Sequence, residues 1–345
     1  MIVEIGDKPF IATAFPAHTR YFSTFAPDAA PPGVRVLKSL GALWTALGDP
    51  QTRLIVCHPT FDAPWSPRFL SRNLVSRRML QGRSPLLRGW GPQLLRWRGR
   101  APIVVLDHED LPVINRNNLF LLDRADLYFK RELPADHWRV FLKTAHPNLP
   151  TPRFRTRPRN VARIAKLRPL SIGLPLDAPE LLNFPPLEKR SDVFFAARVE
   201  GSSSLRAPGL AELRALQAAG VAVDIPNGPI PREEFYRRCA AAWLVWSPEG
   251  FGWDCFRHYE ALACGSVPVI NQPSIERHAP LIGRRHALYY DVEPQGLTRA
   301  ITEALKDRPA LARIAAEGRA HVLGHHTPAA IARYVLESAG ISLGG

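Results

Sequence analysis

Residues 247–270 read SPEGFGWDCFRHYEALACGSVPVI. Two spaced glycines, Gly250 and Gly252, precede a short apolar segment that carries Arg257 and Glu260. The segment closes on Cys264-Gly265 and runs directly into the apolar stretch Val267–Ile270. The spacing predicts strand, glycine loop, helix and strand in succession. A charged pair inside such a segment needs a reason, because unpaired buried charge is costly.

The flanking sequence supplies the frame. SDVFFAAR (191–198) reads as a buried strand that leads into the small-residue loop VEGSSSLRAPG. LAELRALQAAG follows as a helix stopped by Gly220, then VAVDIP as a strand. PREEFYRRCAAAW is a helix with Pro231 in its first turn, and LVW precedes the opening stretch. Beyond it lie a strand in ALYYDV, helices over 295–306 and 309–322, and a last helix with Thr327 as N-cap, Pro328 at N1 and Gly340 as stop. Alternation of this kind specifies a Rossmann-like parallel sheet.

The first half alternates less regularly. Arg35–Leu40 and Leu54–Cys57 are strand candidates, and APIVVLDHED is a buried strand with an acidic tip. A helix over 118–126 is followed by the strand LYFKR, and 66–98 suit one or two helices. Residues 145–190 are Pro-rich and broken, as expected of an inter-domain connection. The expected organisation is a domain over 1–180, a second over 181–326, and a terminal helix and tail over 327–345. At 345 residues the chain suits two domains of about 150 residues each.

Composition narrows the class. The chain is 46% hydrophobic and 22% charged, ordinary for a soluble globular protein. No run approaches the roughly 18 apolar residues of a membrane span, and MIVEIGDKPF lacks the pattern of a signal peptide. A cytoplasmic protein is expected. Cys57, Cys239, Cys255 and Cys264 show no CxxC or zinc-like spacing, and His325–His326 is the one histidine doublet, so no metal site is expected. The formal charge is +14, and Ala63–Leu106 holds nine arginines with no Asp or Glu. A second basic run covers 153–168. Such patches attract phosphates, nucleic acid or an anionic membrane surface, although an Arg-rich composition explains them equally well. No nucleic-acid recognition motif accompanies them, and no nucleic-acid partner is expected.

In an open parallel sheet, ligands bind beyond the carboxyl ends of the strands, where the 248–255 loop falls. Gly250 and Gly252 would let backbone N–H groups approach an anion and would permit positive φ. Asp254 is a candidate cap for the next helix, whose apolar stripe is Phe256, Tyr259, Leu262 and Ala263. Arg257, Glu260, Ala261 and Cys264 share the neighbouring face. Arg257 in the first turn suits a phosphate, and Glu260 one turn deeper suits the two hydroxyls of a ribose. The alternative is a surface Arg–Glu pair worth about 0.2–1 kcal/mol.

FRHYEALACGSVPVI resembles the donor-nucleotide motif of exostosin-type glycosyltransferases, and the 190–340 region is similar to the nucleotide-sugar domain of the wider GT-B superfamily. The resemblance implies an α/β fold of GT-B type, with two Rossmann-like domains facing each other across a cleft and a C-terminal helix crossing back to the first. It implies a glycosyltransferase taking a UDP- or GDP-sugar as donor, without a further cofactor or metal, and a glycan or lipid-linked acceptor. Arg257 would then contact the diphosphate, Glu260 the ribose, and Gly250 and Gly252 the sugar or phosphates. Arg198 and Arg206 resemble the phosphate binders of the first loop of that domain. Retaining relatives carry two glutamates with seven residues between them. Here ten separate Glu249 from Glu260 and Gly252 stands at the first position, which favours inversion. The general base is sought in the first domain: Asp107, Glu109 or His58, with Lys130 as a nearby positive charge. The basic 66–100 segment fits an anionic acceptor or peripheral contact at the inner face of the membrane. A non-catalytic scaffold of the same fold is the alternative.

Overall fold

The computed structural model describes residues 1–24, 31–60, 85–142 and 158–343. Its contacts divide the chain into two units: Met1–Leu170 with Ile331–Gly345, and Ser171–Ala330. Residues 61–84 and 143–157 lie outside the described residues, and with them the greater part of the basic 66–100 segment expected to meet a membrane or acceptor.

The first unit holds a seven-stranded sheet: β1 (Ile2–Gly6), β2 (Thr19–Ser23), β3 (Val36–Leu37), β4 (Leu54–Cys57), β5 (Ile103–Asp107), β6 (Leu127–Lys130) and β7 (Leu167–Pro169). The order is β3-β2-β1-β4-β5-β6-β7, every neighbouring pair parallel. Strands β1, β4 and β5 are buried along their whole length, which is why they read as near-continuous apolar runs. The strand expected over 35–40 is shorter than that. Ser39 accepts from the Ala42 N–H at 3.2 Å and starts the helix Leu40–Gly48. Within the expected helical region 66–98, the described part forms a short helix, Pro85–Trp90, and a 3-10 segment, Pro92–Arg96.

The second unit holds β8 (Ser191–Phe194), β9 (Val223–Asp224), β10 (Ala242–Trp246), β11 (Val267–Asn271) and β12 (Leu288–Tyr290) in the order β12-β11-β10-β8-β9, again all parallel. Helices Arg206–Ala218, Arg232–Ala240 and Phe256–Ala263 make the first crossovers. Gly220 ends the first at φ +93°, a left-handed conformation that a side chain would strain. Gly209 is equally constrained, since a Cβ there would collide with the Trp246 ring. Sheet order reverses between β8 and β10, and in the first unit between β1 and β4. Those reversals are the switch points at which α/β sheets take ligands.

The last helix, Pro328–Ser338, is capped by Thr327, whose Oγ1 accepts from Ala330 N–H at 3.1 Å. Its Tyr334 packs edge-on against Phe129 at 5.4 Å and donates to the Pro169 carbonyl at 3.1 Å, so residues from Ile331 on belong to the first unit. Among the described residues no helix is long and apolar enough to cross a membrane.

Candidate functional site

Strand β10 delivers the chain to Ser247, and the loop beyond it is pinned by the end of β11. Asn271 accepts from the Glu249 N–H at 3.0 Å and donates to its carboxylate at 3.1 Å, while Trp253 donates to the Asn271 carbonyl at 3.0 Å. Gly250 donates to the Gly252 carbonyl at 2.9 Å. Neither glycine adopts positive φ, contrary to the expectation for this loop. The Gly250 constraint is steric: a Cβ would stand 3.2 Å from Arg206 Nη2.

Asp254 is not the cap of helix Phe256–Ala263. Cys255 holds that position, its Sγ donating to the Gly252 carbonyl at 3.7 Å and making no capping bond, and the Asp254 carboxylate accepts from Ile172 N–H and Tyr259 O–H, each at 2.6 Å. The helix thus begins without a side-chain cap among the described residues, an N-terminus of the kind that favours an anion. The expected stripe also changes. Phe256 is exposed, and His258 takes its place inside, fully buried. Its Nε2 donates to the Trp253 carbonyl at 2.8 Å and its Nδ1 accepts from Ser247 at 2.7 Å. Burial lowers His258 to about 3, so the ring stays neutral and serves both bonds.

Arg257 is half-buried. Its Nε and Nη1 are buried and have no hydrogen-bond partner among the described residues, and its guanidinium carbon stands 6.0 Å from the centre of the Phe195 ring. Glu260, one turn on, accepts from the Tyr236 hydroxyl at 3.1 Å. Burial raises the Glu260 carboxyl, and the Arg257 charge opposes that rise. Arg206 opens its helix with a buried guanidinium that donates to the Glu249 carbonyl at 3.0 Å and the Arg198 carbonyl at 2.6 Å. Burial, and then the nearby Arg257 charge, lower it. The structure thus brings Arg206, Arg257, Glu260, Gly250 and Gly252 to the β8/β10 switch point. Arg198 is exposed and reaches this group through its backbone. Tyr236 and Asn271 carry no local sequence motif, and helix packing and strand register bring them to the site.

The first-unit candidates lie at the carboxyl edge of β4 and β5. Asp107 is buried, and its Oδ2 accepts from Tyr128 at 2.7 Å and Lys130 at 3.2 Å. Lys130, expected as a positive charge near the candidate bases, is fully buried and paired with Asp107. Glu109 is partly exposed, and burial followed by the Asp107 charge raises it to about 7. His58 is bonded through Nε2 to Glu4 at 3.0 Å and stacks on His108 at 5.8 Å. Among the described residues, no group of three or more His, Cys, Asp or Glu side chains is arranged to hold a metal ion.

Residues 227–337, which contain Arg257 and Glu260, match a family described as glycosyl transferase-like. No curated protein sequence matches the chain. Among solved structures, the chain is similar to sucrose-phosphate synthase from Thermosynechococcus elongatus, with TM-score 0.53, 14% identity and 98% of each chain covered. It is similar to HepE from Anabaena in complex with UDP, with TM-score 0.51, 13% identity and 98% of each chain covered. A glycosyltransferase from Rickettsia africae gives TM-score 0.54 at 8% identity, over 98% of this chain and 97% of that one. The chain has the GT-B fold of these proteins, with a glycosyl transferase-like segment in its second half.

Proposed function

We propose that the chain is a glycosyltransferase that moves a sugar from a UDP- or GDP-sugar to a glycan or lipid-linked acceptor, inverting the anomeric centre without a metal. One observation carries the reading: a guanidinium with two buried nitrogens that have no partner among the described residues stands in the first turn of a helix without a side-chain cap, at a switch point and one turn from a carboxylate. Arg257 holds the diphosphate and Glu260 the ribose hydroxyls, while Arg206 adds positive potential behind Gly250. Gly252 leaves no carboxylate where retaining relatives have one, and the Glu249 carboxylate is tied to Asn271. The finer likeness to exostosin-type enzymes rests on the spacing of Arg257, Glu260 and Gly265.

In the transfer, the acceptor oxygen bonds to the anomeric carbon as the bond from that carbon to the diphosphate oxygen breaks, and the diphosphate leaves with the electron pair. The acceptor proton goes to His58, and Glu109 hydrogen-bonds the acceptor. Asp107, engaged by Tyr128 and Lys130, holds the strand edge and accepts from the Glu109 N–H at 3.1 Å. Docking of the arginine-rich 66–100 segment on an anionic membrane belongs to the same proposal.

Calorimetric titration with UDP and GDP tests the site. Wild-type protein binds one of them, and Arg257→Ala and Glu260→Ala each weaken binding by at least about 30-fold, the range for removing one partner of a buried charged contact. Wild-type affinity in both variants removes the assignment. With turnover in EDTA, the product anomer read by NMR decides inversion.

A further inference from the structure

We propose that Tyr236 is a positioning residue for the nucleotide, holding the Glu260 carboxylate so that it meets the ribose hydroxyls and selects ribonucleotides over their deoxy analogues. This rests on the glycosyl-transfer reading. Arg257 and Glu260 stand three residues apart on one helix, a spacing at which opposite charges ordinarily pair with each other. Among the described residues they do not. Two nitrogens of the guanidinium are buried without a partner there, and the one hydrogen bond to the Glu260 carboxylate, at Oε1, comes from the Tyr236 hydroxyl at 3.1 Å. An ionised carboxylate accepts on both oxygens, so Oε2 keeps its lone pairs for a ligand.

Tyr236 is held in place from several sides. It comes from a different helix, Arg232–Ala240, and its side chain is fully buried. The ring lies edge-on to Phe184 at 6.3 Å and to its neighbour Phe235 at 5.7 Å, which fixes where the hydroxyl points. Burial, and then the Glu260 charge, raise the hydroxyl above its ordinary range, so it remains a donor. After Arg257, the next cation acting on Glu260 is Arg232, one turn before Tyr236. Asp177 engages it, at 2.8 Å through the carboxylate and 2.9 Å through the carbonyl. Glu260 is thus held by a neutral donor, and both Arg257 and Glu260 stay available for a ligand. A sugar that lacks its hydroxyls leaves the half-buried carboxylate short of donors, which costs more than the contact alone is worth.

Calorimetric titration with UDP, GDP and their 2′,3′-dideoxy analogues tests it. For the nucleotide that binds, wild-type protein should hold the ribo form roughly 10–100-fold more tightly than the dideoxy form, the range for hydrogen bonds to a charged group. Tyr236→Phe keeps the ring and its packing and should cut that ratio at least about fivefold. A merely structural role for Tyr236 weakens both forms alike and leaves the ratio where it was. Glu260→Ala removes the group being positioned, so its two affinities should agree within about twofold, and adding Tyr236→Phe should not change their ratio further. A ratio unchanged in Tyr236→Phe, or kept in Glu260→Ala, overturns the proposal. Equal wild-type affinities for the two forms overturn it even if Tyr236→Phe folds poorly. Wild-type protein that binds none of the four nucleotides overturns the glycosyl-transfer reading itself.

Discussion

Asp107 and Lys130 show how one buried pair can hold the edge of a sheet. The side chains are 3% and 0% exposed, and Asp107 Oδ2 takes both the Lys130 ammonium and the Tyr128 hydroxyl. Removing one member strands the other charge in a low-dielectric interior. Lys130→Ala should therefore lose about 3–5 kcal/mol of stability in urea unfolding, whereas Lys130→Met with Asp107→Asn should lose much less. A Lys130→Ala loss under 1 kcal/mol would show that the pair is not sealed from solvent. At this scale the sequence is an uneven guide. Arg257 and Glu260 are legible because a charged pair beside glycines on a short apolar segment has few other uses. Glu4 is not, because one acidic residue in IVEIG reads as an interruption of a strand until His58, 54 residues away, is seen bonded to it.

Among the helices, Arg308–His325 carries a device of its own. His286 stacks on His321 at 4.1 Å, His321 stands 5.4 Å from His326, and His278 stands 6.0 Å from His326. His321 and His326 both donate through Nε2 to the Ala279 carbonyl, each at 2.9 Å. Burial, reinforced by the neighbouring imidazoles, lowers His278 and His286 to about 4 and His326 to about 3. Arg285 adds to the lowering at His286, and Glu317 opposes it. Unfolded histidines charge near the ordinary 6.5, before these folded ones do. The contribution to stability is therefore whole above about pH 6.5 and is lost as pH falls through about 4. Urea midpoints measured from pH 7.5 to 4 should fall within that window, and His286→Gln should flatten the fall. A flat wild-type profile down to pH 4 contradicts the arrangement. The histidine doublet was visible in the sequence, but the cluster was not, because its members come from three separate segments.

For the molecule as a whole, two parallel sheets with reversals at β1/β4 and β8/β10 give two edges of the kind at which α/β sheets take ligands. A ligand that binds only the folded second unit stabilises it by mass action. UDP or GDP at about 100 times its Kd should add about 2.7 kcal/mol to the stability of Ser171–Ala330, seen as a raised calorimetric midpoint. Arg257→Ala, at least about 30-fold weaker in binding, should cut the increase to about 0.9 kcal/mol or less at the same ligand concentration. An undiminished increase in Arg257→Ala would place the nucleotide elsewhere.

The sequence by itself determined the α/β class, the strand–loop–helix–strand succession around 247–270 and the charged pair within it, because period, glycine placement and caps act over a few residues. Only the tertiary structure decided that Asp254 ties to Ile172 and Tyr259, that Gly250 stays small for Arg206, that Lys130 is sealed against Asp107 and that Glu4 holds His58. Each of those depends on which strands lie side by side. Strand order is set by long-range packing of apolar faces, and no local spacing encodes it.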